Sequence, residues 1–292
     1  MGKRVLSTLF VLSLFHAVFA TSEPEHTSKV STQSPAAAGS ANQIPIQLHG
    51  NLAPVLVANI DGMEVRLQFD LGDSAPLVLQ QNVLDSIKAV PTGDSSKLQG
   101  TEGVFESPMF KVARVQIGAA VFTDVVARLD APRPGYQPGQ IGQGYLGTGL
   151  LKSYEVVLDY PHRAITLVPR TGEGSSGTCK GTVVPFSASS PKWRGEPVTE
   201  ADTDLGRVTL WWDTGAPASI LRKTLTQAAR PQSSADSVTM KRFTLGGTDF
   251  GPWQFEIWDA SLPGFDGFIG YNFFAKHLVC VDFPGNRVVV GR

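Results

Sequence analysis

The chain has 292 residues and a formal net charge of −1 at pH 7, with 25 Lys and Arg residues against 26 Asp and Glu residues. Charged residues make up 17% of the sequence, below the roughly 25% usual for soluble proteins. This balance gives no basic surface for nucleic acid, and it favours strands and turns over long solvated helices. The five histidines are scattered without ligand spacing, so we expect no metal and no other cofactor.

The first 20 residues have the pattern of an export signal. Lys3-Arg4 precedes a largely apolar stretch over residues 5–19, and Val18-Phe19-Ala20 is typical of a cleavage site. The apolar stretch is short for a membrane span. We therefore expect an exported protein, periplasmic or secreted, that keeps no membrane span once the signal is removed. Residues 21–43, rich in Ser, Thr, Pro, Ala and Glu, are typical of a disordered tether.

The rest of the chain contains one pattern twice, which indicates an internal duplication. An apolar run ends in Asp70-Leu71-Gly72-Asp73, and a second one ends in Asp213-Thr214-Gly215-Ala216. Each tetrapeptide is followed downstream by two hydrophobic residues and a glycine, Tyr145-Leu146-Gly147 and Phe268-Ile269-Gly270. We place the first repeat at residues 44–170, a Gly- and Ser-rich linker at 171–177 and the second repeat at 178–292.

Alternating apolar and polar residues between glycines predict antiparallel strands in both repeats. A short helix is expected after each aspartate loop, over residues 80–88 and 221–229. The first repeat is longer between its aspartate and its motif glycine. Most of the excess lies around Gly100-Thr101-Glu102-Gly103, a glycine-punctuated hairpin suited to a mobile cover.

The motifs resemble those of the aspartic proteases, and in particular the retropepsin-like family found in bacteria, here in a two-lobed, single-chain arrangement similar to pepsin. The resemblance implies an all-β fold of two similar lobes about a pseudo-twofold axis, with Asp70 and Asp213 meeting at the centre as the catalytic pair. Two carboxyl groups about 3 Å apart share one proton, so they can activate water against a peptide carbonyl without a metal. The resemblance implies an aspartic endopeptidase that acts on a peptide or protein as a monomer.

The resemblance also assigns supporting roles around the pair. Gly72 and Gly215 permit the tight loops, and the Thr214 hydroxyl bonds across to the opposite loop. The hairpin over Gly100, Thr101, Glu102 and Gly103 serves as the flap that closes over substrate. The first repeat departs from the pattern at Leu71, which lacks the hydroxyl, and at Asp73, which adds a third carboxylate and should raise the pKa values of the pair.

Three questions stay open at this level. The departures at Leu71 and Asp73 leave room for a catalytically silent peptide-binding module with the same cleft. A homodimer, in which each lobe pairs with another molecule, is a further alternative. Cys179 and Cys280 suit either a disulfide or two buried thiols.

Overall fold

The structure, a computed structural model, describes most of the two repeats. The described residues are 19–20, 42–100, 103–132, 138, 141–170, 178–186, 196–229, 236–259 and 264–291. Nearly all of the predicted signal peptide and tether, and the whole predicted linker at 171–177, lie outside them. No helix within the described ranges is long and apolar enough to cross a membrane.

Strands dominate the described chain, which confirms the all-β prediction. The strands are β1 (Phe19–Ala20), β2 (Asn42–Pro45), β3 (Val55–Ile60), β4 (Met63–Phe69), β5 (Leu77–Leu79), β6 (Val90–Gly100), β7 (Gly103–Ile117), β8 (Ala120–Leu129), β9 (Gly144–Leu146), β10 (Tyr154–Asp159), β11 (Ala164–Pro169), β12 (Gly181–Pro185), β13 (Val198–Thr203), β14 (Gly206–Trp212), β15 (Ile220–Arg222), β16 (Ser237–Met240), β17 (Phe243–Leu245), β18 (Thr248–Asp249), β19 (Trp253–Trp258), β20 (Gly267–Ile269), β21 (Val279–Asp282) and β22 (Arg287–Gly291).

The helices are short and confirm the predicted ones in part. They are α1 (Gln81–Ser86), α2 (Lys223–Ala229) and α3 (Tyr271–Phe274), together with a 3₁₀ turn over Thr148–Leu150. The second helix was expected from residue 221, but Leu221 and Arg222 belong to β15. They pair in parallel with Ile257 and Trp258, so sheet hydrogen bonds replace the first helical turn.

The strands form three sheets, two of which each belong to one repeat. The sheet of the first repeat runs β1-β6-β7-β3-β4-β9-β5-β8, in which β1 comes from the predicted signal peptide, and β7 also pairs with β8. The sheet of the second repeat runs β16-β19-β15-β20-β14-β13-β17-β18. In both, the strand that ends at the aspartate loop pairs in parallel with the strand of the hydrophobic-hydrophobic-Gly motif.

A third sheet joins the two repeats, in the order β12-β22-β21-β10-β11-β2. Its central pair, β10 and β21, contributes one strand from each repeat. A disulfide between Cys179 and Cys280, with Cα atoms 6.3 Å apart, ties the start of the second repeat to β21. Of the two alternatives for the cysteines, the structure therefore has the disulfide.

Local sequence explains how the aspartate strands are built. Asp61 and Gly62 have φ values of 47° and 90°, the left-handed conformation of a two-residue hairpin turn, and they connect β3 to β4. In β14 the consecutive Trp211 and Trp212 point to opposite faces, yet both are fully buried. Trp212 enters the main core, whereas Trp211 packs in a smaller cluster with Phe265. Burial on both faces fixes the strand register, because a slip of one residue would displace both indoles.

Candidate active site

Each aspartate is placed by the motif that follows it far along the chain. The backbone N–H of Asp70 donates to the carbonyl of Leu146 over 2.9 Å, and that of Asp213 donates to the carbonyl of Ile269 over 3.0 Å. The two repeats therefore present their aspartates in the same way, at the ends of β4 and β14.

The motif glycines allow the backbone segments to come close. A Cβ atom at Gly147 would collide with the carbonyl oxygen of Ala75, and one at Gly270 would collide with that of Ala218. Any larger residue would force the aspartate loop away from the strand beneath it. This geometry accounts for glycine at the third position of both hydrophobic-hydrophobic-Gly elements.

The two aspartates of one chain meet between the repeats. The two residues are 3% and 2% exposed, and their carboxyl groups lie side by side, since a Cβ atom at Gly215 would be 3.1 Å from Asp213 Oδ1 and 3.2 Å from Asp70 Oδ1. The Gly72 N–H donates to Asp70 Oδ1 over 2.8 Å, and the Gly215 N–H donates to Asp213 Oδ1 over 2.7 Å. The pair thus forms within one molecule, without a residue from a second copy.

One hydroxyl joins the two loops. Thr214 Oγ1 accepts a hydrogen bond from the backbone N–H of Leu71 over 3.0 Å and donates to the carbonyl of Phe69 over 2.7 Å. The Leu71 side chain is fully buried in the hydrophobic core instead. Among the described residues, the hydroxyl connection between the loops therefore comes from the second repeat.

Replacing Thr214 with Val is expected to lower the free energy of unfolding by about 1–3 kcal/mol, because a buried N–H and a buried carbonyl lose their partner. Thr214→Ser keeps the hydroxyl and should remain closer to the wild type. Urea unfolding of the two variants measures the difference. Equal stability of Thr214→Val and the wild type would show that the hydroxyl does not join the loops.

Asp73 has a partner that the sequence did not reveal. Its Oδ2 accepts a hydrogen bond from Arg128 Nη2 of β8 over 2.7 Å, and its Oδ1 accepts one from the Ala75 N–H over 2.8 Å. The side chains of Arg128 and Asp73 are only 9% and 4% exposed, so this is a buried ion pair. The negative charge of the third carboxylate is therefore balanced by the positive charge of Arg128.

Burial controls the electrostatics of the pair. Loss of hydration raises the pKa of Asp70 well above its ordinary value, and the negative charges of Asp213 and then Asp73 raise it further. Burial also raises the pKa of Asp213, to about 6, against the lowering effect of hydrogen bonds from Gly215 and Asp70. Because both pKa values are raised and the two groups are in contact, the pair holds one proton between them over a range of pH. The expected upward effect of Asp73 is present, but burial is the larger cause.

A buried phenol lies near the pair. Tyr160 directly follows β10, is 2% exposed and packs against Tyr271 and Phe274 with ring centroids 5.8 and 5.6 Å away. Its hydroxyl has no hydrogen-bond partner among the described residues. Burial raises the pKa of Tyr160 well above its ordinary value, and the charges of Asp213 and Asp70 add to the shift. The phenol therefore stays neutral beside the carboxyl pair.

The predicted flap falls on the hairpin of β6 and β7. Gly100 ends β6 and Gly103 begins β7, where they pair with each other. Thr101 and Glu102 lie outside the described residues. On its other edge β6 pairs with β1, so that Phe19 and Ala20 lie opposite Gln99 and Leu98. The role of this hairpin as a flap stays a prediction.

Potential metal ligands do not gather at the aspartates in the described part of the chain. There, three such side chains come together at Glu155, Cys179 and Cys280, where the two sulfur atoms are joined in the disulfide.

The fold defined by these elements is the two-lobed fold of the aspartic proteases, with two similar β-rich lobes and one aspartate loop in each. The chain is similar to the crystal structure of aspartic proteinase from Irpex lacteus, with a TM-score of 0.56 at 12% sequence identity. The similarity covers 86% of this chain and 97% of that protein. No family model matches the sequence, and no characterised protein matches it at the level of sequence.

Proposed function

We propose that the protein is an aspartic endopeptidase in which Asp70 and Asp213 act as one catalytic unit. The observation that carries the proposal is that the two carboxyl groups lie side by side, buried at matching positions of the two repeats. Two carboxyl groups in such contact hold one proton between them over a range of pH. An acid and a base are then available at the same point, which is what attack of water on an amide requires.

The mechanism follows from the single proton that the two groups share. In this proposal Asp213 is the base and accepts a proton from a water molecule held between the carboxyl groups. Asp70 donates its proton to the carbonyl oxygen of the scissile peptide bond as water attacks the carbonyl carbon. Collapse of the tetrahedral intermediate breaks the C–N bond, and a proton passes to the leaving nitrogen. The loop amides of Gly72 and Gly215 keep both carboxyl groups oriented through the cycle.

In this proposal the substrate is a peptide or protein. We further propose that the protein is exported and works as a monomer, in the periplasm or outside the cell, since the pair is complete within one chain. The hairpin of β6 and β7 is placed in the first lobe, and in this proposal it closes over the bound peptide and excludes water.

Incubation of the purified protein with a peptide library, with mass spectrometry of the products, tests the proposal. New peptide ends are expected, and a statine-type inhibitor should suppress them. Inhibitor binding without any cleavage between pH 4 and pH 8 would instead identify a silent peptide-binding module. The feature that favours this second outcome is the connection between the loops through Thr214 alone, since Leu71 has no hydroxyl to make the matching contact.

The rate of cleavage should rise as the pH increases through about 6. Below this pH both carboxyl groups are protonated, and no base is available to accept a proton from water. The rate should fall again at higher pH, where Asp70 loses its proton and the acid is lost. The pH profile of kcat/KM for one library-derived peptide measures both limbs, and a maximum near pH 2 to 3 would contradict this assignment.

A further inference from the structure

The two aspartate loops differ at their fourth position, where the first repeat has Asp73 and the second has Ala216. The two positions are equivalent in the backbone. The N–H of Thr148 donates to the Asp73 carbonyl, and that of Tyr271 donates to the Ala216 carbonyl, each over 2.8 Å. Asp73 is 3% exposed and Ala216 is 1% exposed. The first repeat thus buries a carboxylate where the second repeat buries a methyl group.

The arginine is present in the same repeat as the extra carboxylate. In the first repeat β5 and β8 pair in parallel, and Arg128 lies opposite Val78. In the second repeat β15 and β19 pair in parallel, and Glu256 lies opposite Ile220. Glu256 is exposed to solvent, whereas Arg128 is 8% exposed. Within the described residues, a buried arginine stands at this strand position only in the repeat that has the buried carboxylate.

Both carboxylate oxygens of Asp73 accept hydrogen bonds. Oδ2 is taken by Arg128 and Oδ1 by the Ala75 N–H. The backbone of Asp73 also belongs to the aspartate loop, since its N–H lies 3.4 Å from the Asp70 carbonyl. A change in the position of the Asp73 side chain would therefore also move the loop that presents Asp70.

We propose that Arg128 is a positioning residue of the active site, which holds the Asp73 carboxylate aside and neutralises it so that the single shared proton stays on Asp70 and Asp213. The inference rests on the proposed proteolytic role of the pair, and it adds a residue from β8 to the machinery.

The reason is electrostatic. Three carboxylates in one buried site compete for protons, and an unpaired buried charge is strongly disfavoured. With Arg128 in place, Asp73 contributes a neutral ion pair, and its residual charge raises the pKa of Asp70 and of Asp213 as a lesser cause. The phenol of Tyr160 lies near the pair and stays neutral, and Tyr271 packs against Tyr160. Removal of Arg128 leaves Asp73 as an uncompensated negative charge beside the dyad.

The test compares three variants of the full-length protein: Arg128→Gln, Asp73→Ala, and the two combined. Two readouts are taken for each. The first is the carboxyl titration of the pair, followed by NMR in protein labelled with ¹³C at the aspartate side-chain carboxyl. The second is the pH profile of kcat/KM.

Arg128→Gln is expected to shift the titration of the pair and the acid limb of the profile to higher pH, with a loss of at least tenfold in kcat/KM at pH 6. Asp73→Ala, which leaves an uncompensated positive charge, should shift both to lower pH. The double variant copies the alanine of the second repeat and should return both towards the wild type. The restored titration and the restored rate should appear together.

A purely structural role of Arg128 predicts a different result, in which the three variants lose stability while the titration and the acid limb stay in place. That result would overturn the proposal. If Arg128→Gln fails to fold, the opposite-sign shift in Asp73→Ala and its reversal in the double variant carry the test. NMR shifts without any hydrolysis by the wild type would support the role of Arg128 and contradict the proposed protease activity.

Discussion

Replacement of Asp213 or Asp70 by Asn is expected to abolish peptide hydrolysis, with a loss of about a thousandfold or more, while the protein remains folded. An amide keeps the shape of the side chain but neither accepts a proton from water nor donates an acidic proton. The double variant should be no worse than either single variant, because two groups that act as one unit are lost together. Rates on a library-derived peptide measure the effect.

Asp159→Asn is the matched control for these variants. Asp159 also ends an apolar strand, but its carboxylate accepts a hydrogen bond from the backbone N–H of the exposed His162 at a turn. Full activity is expected for this variant. Cleavage that survives in both Asp70→Asn and Asp213→Asn would show that the hydrolysis does not depend on the pair.

The substitution Asp213→Asn should also change how the stability of the protein depends on pH. Burial raises the pKa of Asp213 from 3.8 to about 6, so the folded protein binds this proton more tightly than the unfolded chain does. The contribution to stability is therefore present below about pH 4 and is lost as the pH rises to about 6, a change of about 3 kcal/mol. Asp213→Asn should remove this loss and be more stable than the wild type at pH 7, as urea unfolding at several pH values would measure.

The second large effect is expected at Gly72, where replacement by Ala should reduce activity by about a hundredfold or more. A Cβ atom there would lie 2.6 Å from Asp213 Oδ1 and 2.7 Å from its Cγ. The Asp213 carboxylate is held by the Gly215 N–H and cannot move aside without breaking that bond. A displacement of the order of 1 Å at a catalytic carboxylate costs about a hundredfold in rate.

Gly215→Ala provides the comparison for Gly72→Ala. At Gly215 the nearest atom to an added Cβ is Asp213 Oδ1 at 3.1 Å, so a shift of a few tenths of an ångström accommodates the methyl group. A smaller loss of activity is expected. Circular dichroism checks that both variants are folded, and kcat/KM measures their loss of activity. An equal loss in the two variants would contradict the packing described for Gly72.

The duplicated motifs predicted the fold because they encode its most constrained contacts. The alternation of apolar residues indicated the strands, and the two aspartate loops together with the two motif glycines indicated the lobes. Leu71 and Thr214 led to the expectation of a cross-connection made from one side only, and the hydroxyl of Thr214 makes such a contact. These features depend on residues close together in sequence, or on the same contact made twice.

Arg128 and Tyr160 were missed because their roles arise from contacts between distant strands. Arg128 reaches Asp73 only after β8 has paired with β5. A comparison of the repeats would have drawn attention to both residues. Tyr160 follows Asp159, and the second repeat has Phe283 at that place after Asp282. When a hydroxyl or a charge lies in or at the end of an apolar strand in one repeat alone, it indicates a position where the two repeats differ in function.

The most direct test of the central claim is peptide hydrolysis in water enriched in ¹⁸O, followed by mass spectrometry of the products and of the intact protein. Direct attack by water on the peptide carbonyl predicts one ¹⁸O atom in each newly formed carboxyl end and no covalent adduct on the protein. Suppression of this incorporation in Asp213→Asn completes the expected result. A peptide-protein adduct during turnover, or incorporation that continues in Asp213→Asn, would contradict a mechanism based on the two aspartates.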